Sequence, residues 1–251
     1  MAQTNDVRIV ADAASLFHAA AQDFANQVES TLKSSDRFTV ALSGGSTPKG
    51  LFSLLASSYR ERLPWNKIFF FWGDERHVPP DSSESNYRMA NEALLSKVPI
   101  PPANIFRVPA ENSDASRAAE EYEKTLRNFF HPPSGTFPQF DLILLGMGPD
   151  GHCASLFPGT AALHEKSKFV VANWVDKFKT FRITFTGPLI NQARVVEFLV
   201  AGADKSASLY EVLEGSGSAN QFPSKMIHPV SGQLIWLVDK AAAASLSRKS
   251  A

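Results

Sequence analysis

A single cysteine, Cys153, stands among the 251 residues, so no internal disulfide framework can form and a reducing compartment is expected. Net charge is lacking as well, with 25 Lys+Arg balancing 25 Asp+Glu. That excludes the broad field that gathers nucleic acid or anionic membrane, while leaving room for a local basic pocket. No apolar run approaches the roughly 18 residues needed to span a bilayer. Asp6, Arg8 and Asp12 interrupt any signal-like apolar core in the first twenty residues, so a cytoplasmic protein is expected. The 16 Pro and 14 Gly are spread along the chain, which excludes collagen-like and low-complexity classes. No HExxH, CxxC or EF-hand spacing occurs, and no dedicated metal site is expected.

What remains is ordinary globular composition, 44% hydrophobic and 20% charged. A single domain of this length buries about three-quarters of its unfolded surface and needs no covalent staple. Short apolar runs alternate with helical patterns. Residues 13–33 predict a helix with Asp12 as N-cap and Phe17, Ala20, Phe24, Val28 and Leu32 on one face. Helical patterns recur at 51–58, 113–130 and 239–247; strand patterns occur at 38–42, 67–72, 141–145, 169–172, 183–185, 195–200 and 234–238. No linker or repeat divides the chain. The expected fold is α/β: one domain over 1–251, a mostly parallel open sheet, doubly wound with helices on both faces.

Four of these strands end in glycine and polar residues: Ser43–Thr47, Asp74–Arg76, Gly146–His152 and Gly202–Lys205. Ligands of open parallel sheets bind beyond the carboxyl ends of the strands, so these four segments are expected to converge on one crevice. SGGST (43–47) leads from a strand into a helix. Gly44 and Gly45 let backbone approach a ligand, Ser46 and Thr47 add hydroxyl donors, and Pro48 falls near the first helical position. Such a segment suits an anion such as phosphate. Asp74 offers an acid to orient a base, while Arg76, Arg182 and Lys205 offer cations. His152 follows a glycine turn beside Asp150, where a neutral imidazole takes a proton from water near neutral pH.

Two other readings compete. Ala41–Gly45 is a near miss to a nucleophile elbow, which would make Ser43 a nucleophile with His228 as base, although the first glycine of that motif is missing. GMGPDG (146–151) matches GxGxxG after a strand, but Pro149-Asp150-Gly151 reads as a turn instead of the long helix a dinucleotide site requires.

Together, LSGGSTP (42–48), WGDERHVP (72–79), SNYRMA (85–90), FDLILLGMGPDGHCASLFPG (140–159), RITFTGPLIN (182–191), AGADKSA (201–207) and WLVDKAAA (236–243) resemble the glucosamine-6-phosphate isomerase/6-phosphogluconolactonase family. The combination runs in order along nearly the whole chain. The resemblance implies hydrolysis of 6-phospho-D-glucono-1,5-lactone in the oxidative pentose phosphate pathway, without a cofactor. It implies His152, beside Asp150, as general base, and Gly44, Gly45, Ser46, Thr47, Arg182 and Lys205 as phosphate ligands. Asp74 and Arg76 would line the same pocket. The implied partner is a small sugar-phosphate lactone, with no nucleic acid and no membrane, and the sequence leaves the oligomeric state open. A non-catalytic sugar-phosphate-binding module is the alternative. Two departures stand out. Cys153 replaces the threonine common after the lactonase DGH histidine. Phe157 occupies the place where the deaminase branch carries a glutamate, so deamination is not expected.

Overall fold

Apolar runs as short as Phe38–Leu42, with all five residues buried, can only be strands covered on both faces, and five largely buried segments with one more exposed edge strand form one parallel sheet. The computed structural model describes residues 6–247. In chain order the large sheet takes β1 (Asp6–Val10), β2 (Phe38–Leu42) and β3 (Ile68–Trp72). The three-residue β4 (Asp74–Arg76) belongs elsewhere, and β5 (Leu142–Gly146) returns to the large sheet. Then β6 (Val170–Val175) and β7 (Thr180–Phe185) join β4 in a small antiparallel sheet, ordered β4-β7-β6. Finally β8 (Val195–Val200) and β9 (Gln233–Asp239) complete the large sheet, whose order is β1-β9-β8-β5-β2-β3.

The helices are α1 (Ala13–Leu32), α2 (Ser46–Ser58), α3 (Asn86–Ala93), α4 (Ala115–Phe130), the single turn α5 (Gly187–Ile190) and α6 (Ser206–Leu213). α1 packs on α2 and against β2 and β9, while α4 lies against β6 and β7. Asp12 caps α1, its carboxylate accepting from the Ser15 N–H at 2.8 Å, and Asp114 caps α4 in the same way. No helix among the described residues is long and apolar enough to cross a membrane.

The strand order explains where a ligand can bind. From β2 the chain moves outward to edge strand β3, then returns to the other side of β2 for β5 and continues to β8 and β9. The winding therefore reverses between β2 and β5, and the crevice opens beyond their carboxyl ends, at Ser43 and Gly146.

The mostly parallel, doubly wound α/β expectation agrees with this architecture, but several local expectations need correction. β1 was absent from the sequence reading, because only one edge of this strand is paired and none of its residues is fully buried. The helix expected at 239–247 is instead the end of β9 followed by a short 3-10 turn at Ala242–Ser245. α2 begins at Ser46, so Pro48 is its third residue rather than near its first. Asp74-Glu75-Arg76, expected as the polar end of the preceding strand, is a strand of its own: at Gly73 the chain leaves the parallel sheet and pairs antiparallel with β7. Gly73 bridges the two sheets, donating to the Leu42 carbonyl at 2.9 Å and accepting from the Phe185 N–H at 2.8 Å.

Candidate active site

The loops after β2, β5 and β8 meet the small sheet around a cleft of about 280 Å³. Ser43, Gly44 and Gly45 form one wall, Gly146, Gly148 and His152 another; Asp74, Arg76 and Arg182 face them from β4 and β7, with Lys205 at the rim. All four strand-end segments therefore converge as expected. Ser46 and Thr47 do not form part of the wall. They occupy the first turn of α2, directly after Gly45, with Ser46 exposed. Gly45 holds a φ of 105°, open to glycine without strain, which turns the chain from β2 into α2 and leaves the helix N-terminus at the cleft.

The loop after β5 is built around the imidazole. Gly148 donates to the His152 carbonyl at 2.9 Å and accepts from the Gly151 N–H at 3.0 Å, a tight turn in which Gly151 has a φ of 73°. The His152 ring lies directly on Gly148, where a Cβ would stand 2.1 Å from ring atoms. His152 Nδ1 is 2.5 Å from Asp150 Oδ1. The carboxylate accepts a hydrogen bond from Nδ1–H, which leaves the Nε2 lone pair free of any protein partner among the described residues. Burial would raise the Asp150 carboxyl, but the hydrogen bond and charge of His152, with Lys177 behind, hold it well below the usual carboxylate range. On its other side the imidazole stacks on Phe157, at 4.0 Å between ring centroids.

Asp74 lines the cleft without reaching toward the imidazole. Its Oδ2 accepts from Ser155 Oγ at 2.7 Å, and its Oδ1 from Asn86 Nδ2 at 3.4 Å. The expectation that it orients the base is replaced by a role in holding the walls together. Glu75 is buried beneath it and accepts from the backbone N–H groups of Arg76, Asn86 and Tyr87 at 2.7–2.8 Å and from Ser85 Oγ at 3.1 Å. Burial outweighs these donors and raises its carboxyl. Glu75 thereby docks the start of α3 onto β4 and delivers Asn86 to the cleft. Asn86 in turn fits against Gly44 so closely that a Cβ there would lie 1.9 Å from its Oδ1. Asn86, Ser155 and Phe178 are cleft residues that pattern reading missed. SNYRMA (85–90) held the signal for Asn86, but its place was set by a buried carboxylate 11 positions away.

The cations are grouped rather than neutralised. Arg182 lies within β7, not at a strand end, and is in register with Arg76 on β4. Its Nε is buried without a hydrogen-bond partner. Burial, then the neighbouring Arg76 charge, lowers the Arg182 guanidinium from its ordinary value. Arg76 donates one N–H to the Glu84 carbonyl. Lys205 pairs with the exposed Asp204 at 2.7 Å. A buried guanidinium with an unused donor beside a second one favours an anion as its missing partner.

The competing readings do not find their geometry. Ser43 Oγ is buried with no hydrogen-bond partner, while His228 is exposed and docked to Asn191, before β8 and β9 begin, at the opposite end of the sheet. The glycine-rich segment after β5 leads into turns rather than a helix, so a dinucleotide pyrophosphate has no helix N-terminus there. Cys153 is fully buried and its thiol is pushed up to about 12 by burial, so it is no nucleophile at neutral pH.

Residues 11–236 match the model of the family described as glucosamine-6-phosphate isomerases/6-phosphogluconolactonase. A 6-phosphogluconolactonase from Nostoc sp. is 43% identical over 241 residues, covering 96% of this chain and 98% of the relative. One from Synechocystis sp. is 49% identical over 208 residues, covering 83% and 84% respectively. Among solved structures, 6-phosphogluconolactonase from Trypanosoma cruzi superposes with a TM-score of 0.89 at 30% identity, covering 99% of both chains.

Proposed function

Because the chain belongs to the glucosamine-6-phosphate isomerase/6-phosphogluconolactonase family, we propose that its cleft hydrolyses 6-phospho-D-glucono-1,5-lactone to 6-phospho-D-gluconate, a step of the oxidative pentose phosphate pathway. The observation that carries the mechanism is the His152–Asp150 pair, 2.5 Å apart, with Nε2 free in a cleft whose opposite wall holds Arg182 and Arg76.

The phosphate sits against Gly44 and Gly45 at the α2 N-terminus, between Arg182 and Lys205, which fixes the lactone carbonyl carbon near His152. Nε2 removes a proton from water as the water oxygen bonds to C1, and the carbonyl pair moves onto oxygen. The tetrahedral oxyanion accepts hydrogen bonds from Arg76 or from backbone N–H groups of the 146–151 turn. On collapse the C1–O5 bond breaks and the imidazolium returns its proton to O5, giving the free hydroxyl and the carboxylic acid, which loses the second water proton to solvent and becomes the carboxylate. Asp150 keeps the Nδ1 proton in place throughout and stabilises the imidazolium. No cofactor enters, since the lactone carries its own leaving group. One unpaired cysteine accords with a reducing, cytoplasmic setting.

The test is proton release on adding freshly generated phosphogluconolactone. Hydrolysis well above the spontaneous rate is expected. Tight binding of 6-phosphogluconate with no acceleration would make the protein a sugar-phosphate-binding module instead.

A further inference from the structure

We infer that Lys177 is a positioning residue for the His152 base, acting through Asp150 from the tip of the β6–β7 hairpin. The inference rests on His152 being the base and adds to that reading the group that restrains its carboxylate.

The hairpin tip is a single helical turn, Asp176–Phe178, closed by Lys179 in the left-handed region at a φ of 50° and by the Lys179–Asp176 ion pair at 2.7 Å. Two tip residues reach the catalytic turn from different sides. Phe178 meets Phe157 edge-on, with ring centroids 5.7 Å apart, and Phe157 in turn stacks on His152. Lys177 Nζ lies 3.4 Å from Asp150 Oδ2, the oxygen that His152 leaves unused. The Arg182 guanidinium lies over the Phe178 ring at 5.2 Å, which ties the tip to the phosphate side of the cleft.

Asp150 thus carries a cation on one oxygen and the imidazole on the other. An unopposed carboxylate would hold the imidazolium strongly and keep the base protonated to higher pH. The ammonium shares the carboxylate charge, so Asp150 holds the imidazolium less strongly than it would alone, while its Nδ1 contact is kept. The other charges around the imidazole are Arg76 and Asp74 from β4, Arg182 from β7 and Lys205 beyond β8; each lines the cleft, and none of them is bonded to Asp150. Lys177 is more than half exposed, so its electrostatic effect is modest and screened by salt.

The experiment compares the full-length protein with Lys177→Gln and Lys177→Arg, variants of an exposed side chain that leave the fold intact. Two pH profiles are taken at low ionic strength: kcat/KM for phosphogluconolactone, and carbethoxylation of His152 by diethyl pyrocarbonate followed by peptide mass. In Lys177→Gln the acid limb of both profiles should move up by about 0.2–0.7 of a pH unit, the range for a partly solvated ion pair. Lys177→Arg should restore the limb, KM should change less than about twofold if no substrate contact is lost, and high salt should shrink the difference. An unmoved acid limb, a shift that arginine does not reverse, or a rise in KM alone would overturn the inference. Should the unmodified protein hydrolyse no lactone while the carbethoxylation profile still moves, the functional reading fails and the coupling stands.

Discussion

The imidazole of His152 lies stacked on the ring of Phe157, with centroids 4.0 Å apart and planes 24° from parallel. Phe157 therefore does more than occupy the position where the deaminase branch of the resemblance carries a glutamate. It forms an apolar floor that fixes the ring whose Nδ1 is held by Asp150.

Deamination of an aminosugar phosphate needs a second proton-transfer group for ring opening, and a phenyl ring has no proton or lone pair to lend. No ammonia should be released from glucosamine 6-phosphate in a coupled assay. Phe157→Glu alone should not create that activity, because the new acid would enter an apolar setting that disfavours its ionisation. Ammonia release comparable to lactone hydrolysis would contradict the role given to Phe157.

Gly148 is required by contact rather than by backbone freedom. Its added Cβ would stand 2.1 Å from the His152 ring and 2.7 Å from Asp150 Oδ1. Gly148→Ala must displace the pair, and a shift of about 1 Å at a reacting group costs on the order of 10²-fold in turnover. Steady-state rates with circular dichroism as a folding control check this; wild-type turnover would mean that the turn relaxes away from the ring.

Arg182→Ala and Lys205→Ala should each weaken 6-phosphogluconate binding by roughly ten- to a hundredfold, the worth of a charge-assisted hydrogen bond of about 1.5–3 kcal/mol. The loss should be smaller for a non-phosphorylated gluconolactone. Calorimetric titration and paired lactone kinetics measure it. Equal losses on both lactones would move these cations away from the phosphate.

Much of this site was legible because its parts are short motifs at strand ends. The glycines, His152, Arg76 and Lys205 line the cleft at the winding reversal between β2 and β5, Arg182 joins them from within β7, and Asp150 stands behind the imidazole. What was not legible depended on contacts between distant segments. β4 reads as the polar end of β3 until its pairing with β7 is seen, and Asp74 reads as an acid that orients the base until Ser155 and Asn86 claim its oxygens. Ser46 and Thr47 lie within the first turn of α2, which starts two residues before Pro48, where the sequence placed that proline near the first helical position. β1 lacks the buried run that marked the central strands, since it lies at the sheet edge.

Cys153 stands next to the base in sequence, yet its thiol is buried and raised to about 12. Because the thiolate is the reactive form, and a raised pKa keeps the thiol protonated until strongly alkaline pH, alkylation should be negligible in the native protein at about pH 8 and complete on unfolding. Cys153→Thr, which restores the residue common in the lactonases, should retain turnover. Rapid native labelling with loss of activity would contradict the burial argument.

The central claim is that His152 activates water directly, with no acyl-enzyme on Ser43. Its most direct measurement is the turnover of freshly generated 6-phosphogluconolactone by His152→Ala and Ser43→Ala, each shown to be folded. His152→Ala should lose about 10²–10⁴-fold, the contribution of a general base, while Ser43→Ala should lose far less. Retained turnover in His152→Ala together with its loss in Ser43→Ala would contradict the account.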